Sequence, residues 1–264
     1  MRCAACFDHT GGGMAIWRFS PRRAAGRRDS SEGWPLMCNL YSTFTNQAAL
    51  RALFSIDLDS LGNWRPQPGI YPDYTAPIVR TSAAGRELAL ARWGMPAPPG
   101  VLVGRKSDPG VTNIRNTGSP HWRRWLGVEN RCLVPFTSFS EPNPGAVGDR
   151  APVWFALADN RPLACFAGLW TRWTSVRKVR EGETTNDLFA FLTTNPNAEV
   201  GALHPKAMPV ILRTSEEVTT WLTAPAAEAL KLQRPLPDGS LGIVARGTKE
   251  DGGVTAESDL FSRP

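Results

Sequence analysis

No run of apolar residues approaches the roughly 20 needed to cross a bilayer, so nothing in the 264 residues encodes a membrane-spanning helix and no membrane partner is expected. The front of the chain also lacks the apolar core of about 7–15 residues that marks a secretory signal. Met14-Ala15-Ile16-Trp17 is too short for one and is followed by charge. Cysteine is scarce and has no paired spacing: Cys3, Cys6, Cys38, Cys132 and Cys165 form no disulfide framework, which reads as reduced thiols in a cytoplasmic protein. Cys3-x-x-Cys6 with His9 begins a zinc-like spacing, but no second half-site follows, so neither a metal nor another cofactor is expected.

Residues 1–36 sustain no hydrophobic period, and their six basic residues against three acidic ones supply half of the net charge of +6. They read as a disordered N-terminal extension, from an upstream start codon or as a segment that is removed. The remaining chain is only mildly basic, so any phosphate affinity must come from a local groove and not from net charge. With 42% apolar residues it can bury a sizeable core, and residues 37–264 are expected to form one domain and a monomer.

Met37-Cys38 is what a translation start looks like when the product carries a free N-terminal cysteine. Such a residue holds an amine with an ordinary pKa of about 7.7–8.0 beside a thiol of about 8.5, so either becomes reactive after a modest shift. Inside a longer chain only the thiol remains, and a lone cysteine is most often a small buried hydrophobe.

Further on, Asn46–Phe54 has core-facing helical spacing behind Thr45 as cap. The proline- and aromatic-rich stretch 63–77 predicts an extended loop. Ile78–Arg80 and Glu87–Trp93 alternate as a hairpin about Ser82–Gly85. Ser119-Pro120 opens a helix over 120–126 that carries Trp122, Arg123 and Arg124, an interleaving suited to pairing phosphates and stacking bases, or to a solvated basic face with tryptophans turned inward. Trp93 is open to the same two readings, a packed aromatic or a base-stacking one. Three strand-like runs follow at 153–158, 163–170 and 188–194, with 172–187 as an exposed excursion and a capping box at Thr214-x-x-Glu217.

Five segments stand in order: Met37-Cys38-Asn39, Asn113-Ile114-Arg115, Arg131–Pro135 running into Phe139-Ser140-Glu141, Phe166-Ala167-Gly168-Leu169-Trp170, and His204-Pro205 leading to Met208-Pro209. Together they resemble the SRAP family, the SOS response-associated peptidase-like proteins. The resemblance spans roughly Met37 to Leu236 and implies an α+β domain of bent antiparallel sheets with a barrel-like core and peripheral helices. It further implies covalent capture of abasic sites in single-stranded DNA by an N-terminal Cys38. In that picture Glu141 moves protons, His204 assists sugar-ring opening, Asn113 orients the amine or sugar, and Arg115, Trp93, Trp122, Arg123 and Arg124 contact DNA. A lyase, a thiol peptidase using Cys38, Glu141 and His204 whose weakest form is self-processing, and a non-covalent single-strand-binding module are the other activities in view. Asn39-Leu40 departs from the family's common Gly-Arg after the cysteine, and the tail from Gln233 departs as well.

Overall fold

The computed structural model describes residues 39–143 and 151–252. The N-terminal extension with Cys3, Cys6 and His9, Cys38 itself, and most of the loop expected at 142–150 lie outside the described residues. Strand β1 (Tyr41–Thr43) is followed by helix α1 (Gln47–Phe54), whose cap is Asn46 and not Thr45: the Asn46 Oδ1 accepts from the Ala49 amide at 2.8 Å. Strand β2 (Leu58–Asp59) leads to β3 (Gln67–Ile70), which lies inside the stretch expected to be a loop. Pro68 is tolerated there because β3 forms the edge of its sheet, where a missing donor breaks no ladder. The expected hairpin forms as β4 (Thr75–Ser82) and β5 (Gly85–Trp93), closed by the Ser82–Gly85 pair.

After α2 (Pro99–Leu102) and β6 (Asn113–Ile114), the Ser119-capped α3 spans only Pro120–Arg123, not 120–126. The chain turns there so that Trp122, Trp125 and Leu126 enter the core together. Strands β7 (Arg131–Phe136), β8 (Ser138–Pro142) and β9 (Pro152–Ala156) precede β10 (Ala164–Val176) and β11 (Glu183–Thr194). The expected excursion over 172–187 is instead the continuation of β10 and β11 into a long ribbon, paired out to Val176 and Glu183. Trp173, Thr174 and Val176 on one strand and Thr184 and Thr185 on the other, with Thr174 paired to Thr185, supply the aromatic and β-branched content that such a ribbon favours. The chain ends in α4 (Ala198–Gly201), β12 (Met208–Pro209), β13 (Ile211–Leu212), α5 (Ser215–Thr223), α6 (Ala226–Ala229) and β14 (Gly242–Arg246).

Strands β4, β5, β11, β10 and β7 pair in a ring, each with the next, and so close a barrel. The pairing is mostly antiparallel, but β5–β11, β2–β5 and β6–β11 are parallel. A second, antiparallel sheet runs β14–β9–β8–β1–β3. Successive side chains on a strand face opposite ways. Phe189 and Phe191 therefore join a cluster with Tyr41, Phe139 and Phe155 of the second sheet, while Leu188, Ala190 and Leu192 join Leu50, Phe54 and Trp221 of the helices. Burial on both faces explains why these strands read as unbroken apolar runs. Phe166 stacks on Phe136 at 4.0 Å between ring centroids, and truncating so buried a ring costs about 3–5 kcal/mol. No helix among the described residues is long and apolar enough to cross a membrane.

Candidate active site

Glu141 sits near the end of β8 on the same face as Phe139, which is two residues earlier and packed in the core between the sheets. That placement carries a carboxyl inward. Its side chain is fully buried, and neither oxygen has a hydrogen-bond donor among the described residues. Burial with nothing to offset it pushes the Glu141 pKa well above the ordinary carboxylate range.

The β1–β8 register pairs Tyr41 with Phe139 and Ser42 with Ser138, and the Ser140 amide donates to the Leu40 carbonyl at 2.9 Å. One further step of that register sets Asn39, the residue after Cys38, opposite Glu141. Asn39 is tied from the other side as well. Its Oδ1 accepts from the Thr112 hydroxyl at 2.9 Å and from Asn113 Nδ2 at 3.4 Å, and Asn113 Nδ2 also reaches Thr112 Oγ1 at 3.0 Å. Strand β6 places Asn113 by pairing with Phe191 of β11.

His204 follows α4, where its amide donates to the Val200 carbonyl at 2.7 Å. Its Nδ1 lies 3.0 Å from the Ala207 carbonyl and 3.3 Å from Glu141 Oε2. A carbonyl can only accept, so Nδ1 carries the proton and Nε2 the lone pair. Burial lowers the His204 pKa, with the Lys206 charge adding to that effect and the Ala207 carbonyl opposing it. The distance alone reads as an ion pair, but burial opposes charge on both groups, raising the carboxyl and lowering the imidazole.

Arg115 is exposed two residues beyond Asn113. Its guanidinium donates to Asn195 Oδ1 and to the Lys206 carbonyl in the loop after His204, the latter at 3.4 Å. Gln233 fixes this segment: its Nε2 donates to the Arg115 and Thr193 carbonyls at 2.8 and 2.9 Å, and its Oε1 accepts from Thr117 at 3.0 Å. Sequence reasoning missed Gln233, Thr112 and Asn195, because their roles come from pairings between β6, β11 and the C-terminal region that no local motif encodes.

Two expected DNA contacts are corrected. Trp93 is fully buried, stacked near Phe189 and Phe191, and its Nε1 donates to the Thr112 carbonyl at 3.1 Å, so it supports Asn113 from behind and meets no base. Gly94 after it adopts φ 135°, and the Arg177 guanidinium fills the space a Cβ would need. Trp122 is likewise a core residue at 7% exposure. Arg123 at the end of α3 and Arg124 just after it are exposed, with Arg124 over the Trp125 ring at 4.1 Å and bonded to His121, and neither touches Glu141, His204 or Asn113.

Fold and site thus define an α+β protein in which the segment following Cys38 is pinned beside a buried carboxyl–imidazole pair. The chain belongs to the SRAP family: the family model described as SOS response associated peptidase matches residues 37–245. Solved structures share the fold. A Bacteroides thetaiotaomicron protein aligns with a TM-score of 0.60 at 22% identity over 78% of this chain and 90% of its own. A Bordetella bronchiseptica protein gives 0.58 at 26% over 78% and 97%, and a phage-related protein of the same organism 0.54 at 20% over 78% and 92%. No curated protein matches the chain. The family's description ties it to the SOS response to DNA damage.

Proposed function

We propose that this protein captures abasic sites in single-stranded DNA as a covalent adduct on Cys38, shielding the lesion from strand cleavage. The observation that carries the reading is the fully buried Glu141 carboxyl 3.3 Å from His204, with burial opposing charge on both, opposite the residue that follows Cys38.

An abasic deoxyribose opens to an aldehyde, a carbon that can accept two nucleophiles in turn. The free amine of Cys38 adds first and passes a proton to the carbonyl oxygen, Glu141 gives the second proton with which that oxygen leaves as water, and the iminium nitrogen returns a proton to Glu141 to leave the imine. The thiol sulfur then adds to the imine carbon, its proton passes to the nitrogen, and a five-membered thiazolidine closes with one water lost overall. Both nucleophiles on one residue supply proximity worth several kcal/mol of the barrier. The Nε2 lone pair of His204 serves as base for opening the sugar ring. Asn113, held through Asn39 and Thr112, orients the amine, and Arg115 grips a flanking phosphate as an exposed guanidinium. The amine requires that Cys38 begin the working chain. Arg123 and Arg124 form an outlying basic surface along the strand.

The family's description favours a second reading, a thiol peptidase using Cys38 and His204, in its narrowest form the removal of the residues ahead of Cys38. A heat-stable, protein-sized shift of an abasic single-stranded oligonucleotide supports capture. Peptide cleavage without that shift supports the peptidase, and salt-sensitive binding without either supports a non-covalent module.

A further inference from the structure

Beyond β14 the described residues stay on the fold: residues 247–251 lie across the β1–β3 side of the second sheet and are fixed at several backbone groups. The Trp154 indole donates to the Thr248 carbonyl at 2.8 Å, Tyr71 Oη to the Lys249 carbonyl at 2.6 Å, and Ser42 Oγ to the Asp251 carbonyl at 2.8 Å. The Asp251 amide donates to the Pro68 carbonyl at 2.8 Å. Its buried carboxylate accepts from Ser138 Oγ at 2.6 Å and from Arg161 Nε at 2.8 Å. A Cβ on Gly69 would meet Glu250 Cγ at 3.1 Å and the Lys249 carbonyl at 3.2 Å, so a glycine there lets the segment lie close to β3. The family match ends at 245, so this strap is not part of it.

The strap walls a cleft of about 460 Å³ lined by Leu40, Tyr71, Tyr74, Pro152 and Lys249. Lys249 is exposed, and Tyr74 is 50% exposed, leaving its ring face free to meet a ligand. The turn that carries the tyrosines is held as firmly as the strap. Asp73 stands between them at φ 73°, its carboxylate bound by Arg92 at 2.6 Å, Lys178 at 2.7 Å and Arg177 at 3.2 Å. The Tyr74 amide donates to the Tyr71 carbonyl at 3.0 Å, and the rings lie 5.5 Å apart at 58°. Leu40 is two residues from Cys38, a reach of at most about 7 Å. That reach is no longer than the spacing of successive nucleotides on a single strand.

Resting on the capture reading above, we infer that this cleft is a subsite for the nucleotide next to the lesion: its base stacks on Tyr74 while Lys249 takes its phosphate. A π-face beside a cation is the pairing that holds a single-stranded nucleotide without reading its sequence, so the subsite favours any base over none. Glu250 is the nearby acid and has turned its stem to Gly69.

The test uses the Cys38-initiated protein and single-stranded oligonucleotides that carry a tetrahydrofuran abasic analogue, which has no aldehyde and reports binding alone. Tyr74→Ala should weaken binding about 5- to 150-fold, Tyr74→Phe should retain it, and Lys249→Gln should lower the slope of log K against log salt by about 0.7. The Tyr74→Ala penalty should vanish when the nucleotide on one side of the lesion is itself baseless. A penalty independent of both neighbouring bases, or no penalty, overturns the subsite and leaves capture standing. Failure of the unmutated protein to bind any of these strands sinks the capture reading and the subsite with it.

Discussion

Glu141→Gln keeps the shape of a fully buried side chain and removes its ability to ionise. In the unfolded chain a glutamate loses its proton at a pKa of about 4.3. In the folded protein burial raises that value well above the ordinary range, so between the two the native state holds a proton that the unfolded state lacks. Stability then falls with rising pH by about 1.4 kcal/mol per unit, starting at the unfolded value and stopping at the folded one. The glutamine variant has no such slope. The two proteins should show a constant difference in unfolding free energy below the unfolded pKa, and above it the glutamate protein should lose stability relative to the variant as pH rises toward the folded value. Urea titrations from pH 4 to 8 with a shared m-value read the difference directly. His204 titrates in both proteins and largely cancels. Parallel pH profiles would mean that Glu141 is charged against a protonated His204, and the acid–imidazole reading would be wrong.

Arg115→Ala should weaken single-stranded DNA binding and lower its salt slope by about 0.7, the share of one phosphate contact, whereas Glu141→Gln should slow adduct formation by about 10²–10⁴ and leave that slope alone. Gln233→Leu leaves the Arg115 and Thr193 carbonyls without their donor, which should cost about 1 kcal/mol by chemical denaturation and reduce affinity together with it; an unchanged affinity would free Arg115 from this support. Burial alone would raise the Asp73 pKa, but hydrogen bonds from Arg92 and Lys178 and the charges of Arg92 and Arg177 hold it down to about 2. The stability it contributes is present above about pH 3.9 and is lost as pH falls toward 2, so Asp73→Asn should lower the urea midpoint at pH 7 and match the unmutated protein near pH 2.

The hairpin, the barrel strands and the order of the site segments were legible because they rest on local patterns: period-two alternation, turn residues, and a cap followed by proline. The barrel strands β10 and β11 read correctly as buried runs in their inner halves. Their outer halves misled because the charges of Arg172, Glu183 and Asp187 resemble those of a loop, and a two-stranded ribbon carries such charges on its solvent faces. Glu141 could be singled out but its burial could not, since the register that places it inside is set by a strand a hundred residues away. Trp93 and Trp122 read as ambiguous for the opposite reason. A tryptophan beside an arginine is the same string whether the indole faces water or the core, and here both indoles turned inward. The strap over 247–251 carries no motif at all: its hold is the sum of single bonds from Trp154, Tyr71, Ser42, Ser138 and Arg161.

Intact mass spectrometry of the Cys38-initiated protein after incubation with an abasic single-stranded oligonucleotide tests the central claim most directly. The expected species has the mass of protein plus DNA less one water and persists on heating. It should be absent with Cys38→Ser, and it should remain with Cys132→Ala and Cys165→Ala, whose thiols are buried and pushed by that burial to stay protonated. An adduct that survives Cys38→Ser, or no adduct from a protein that begins at Cys38, contradicts the account.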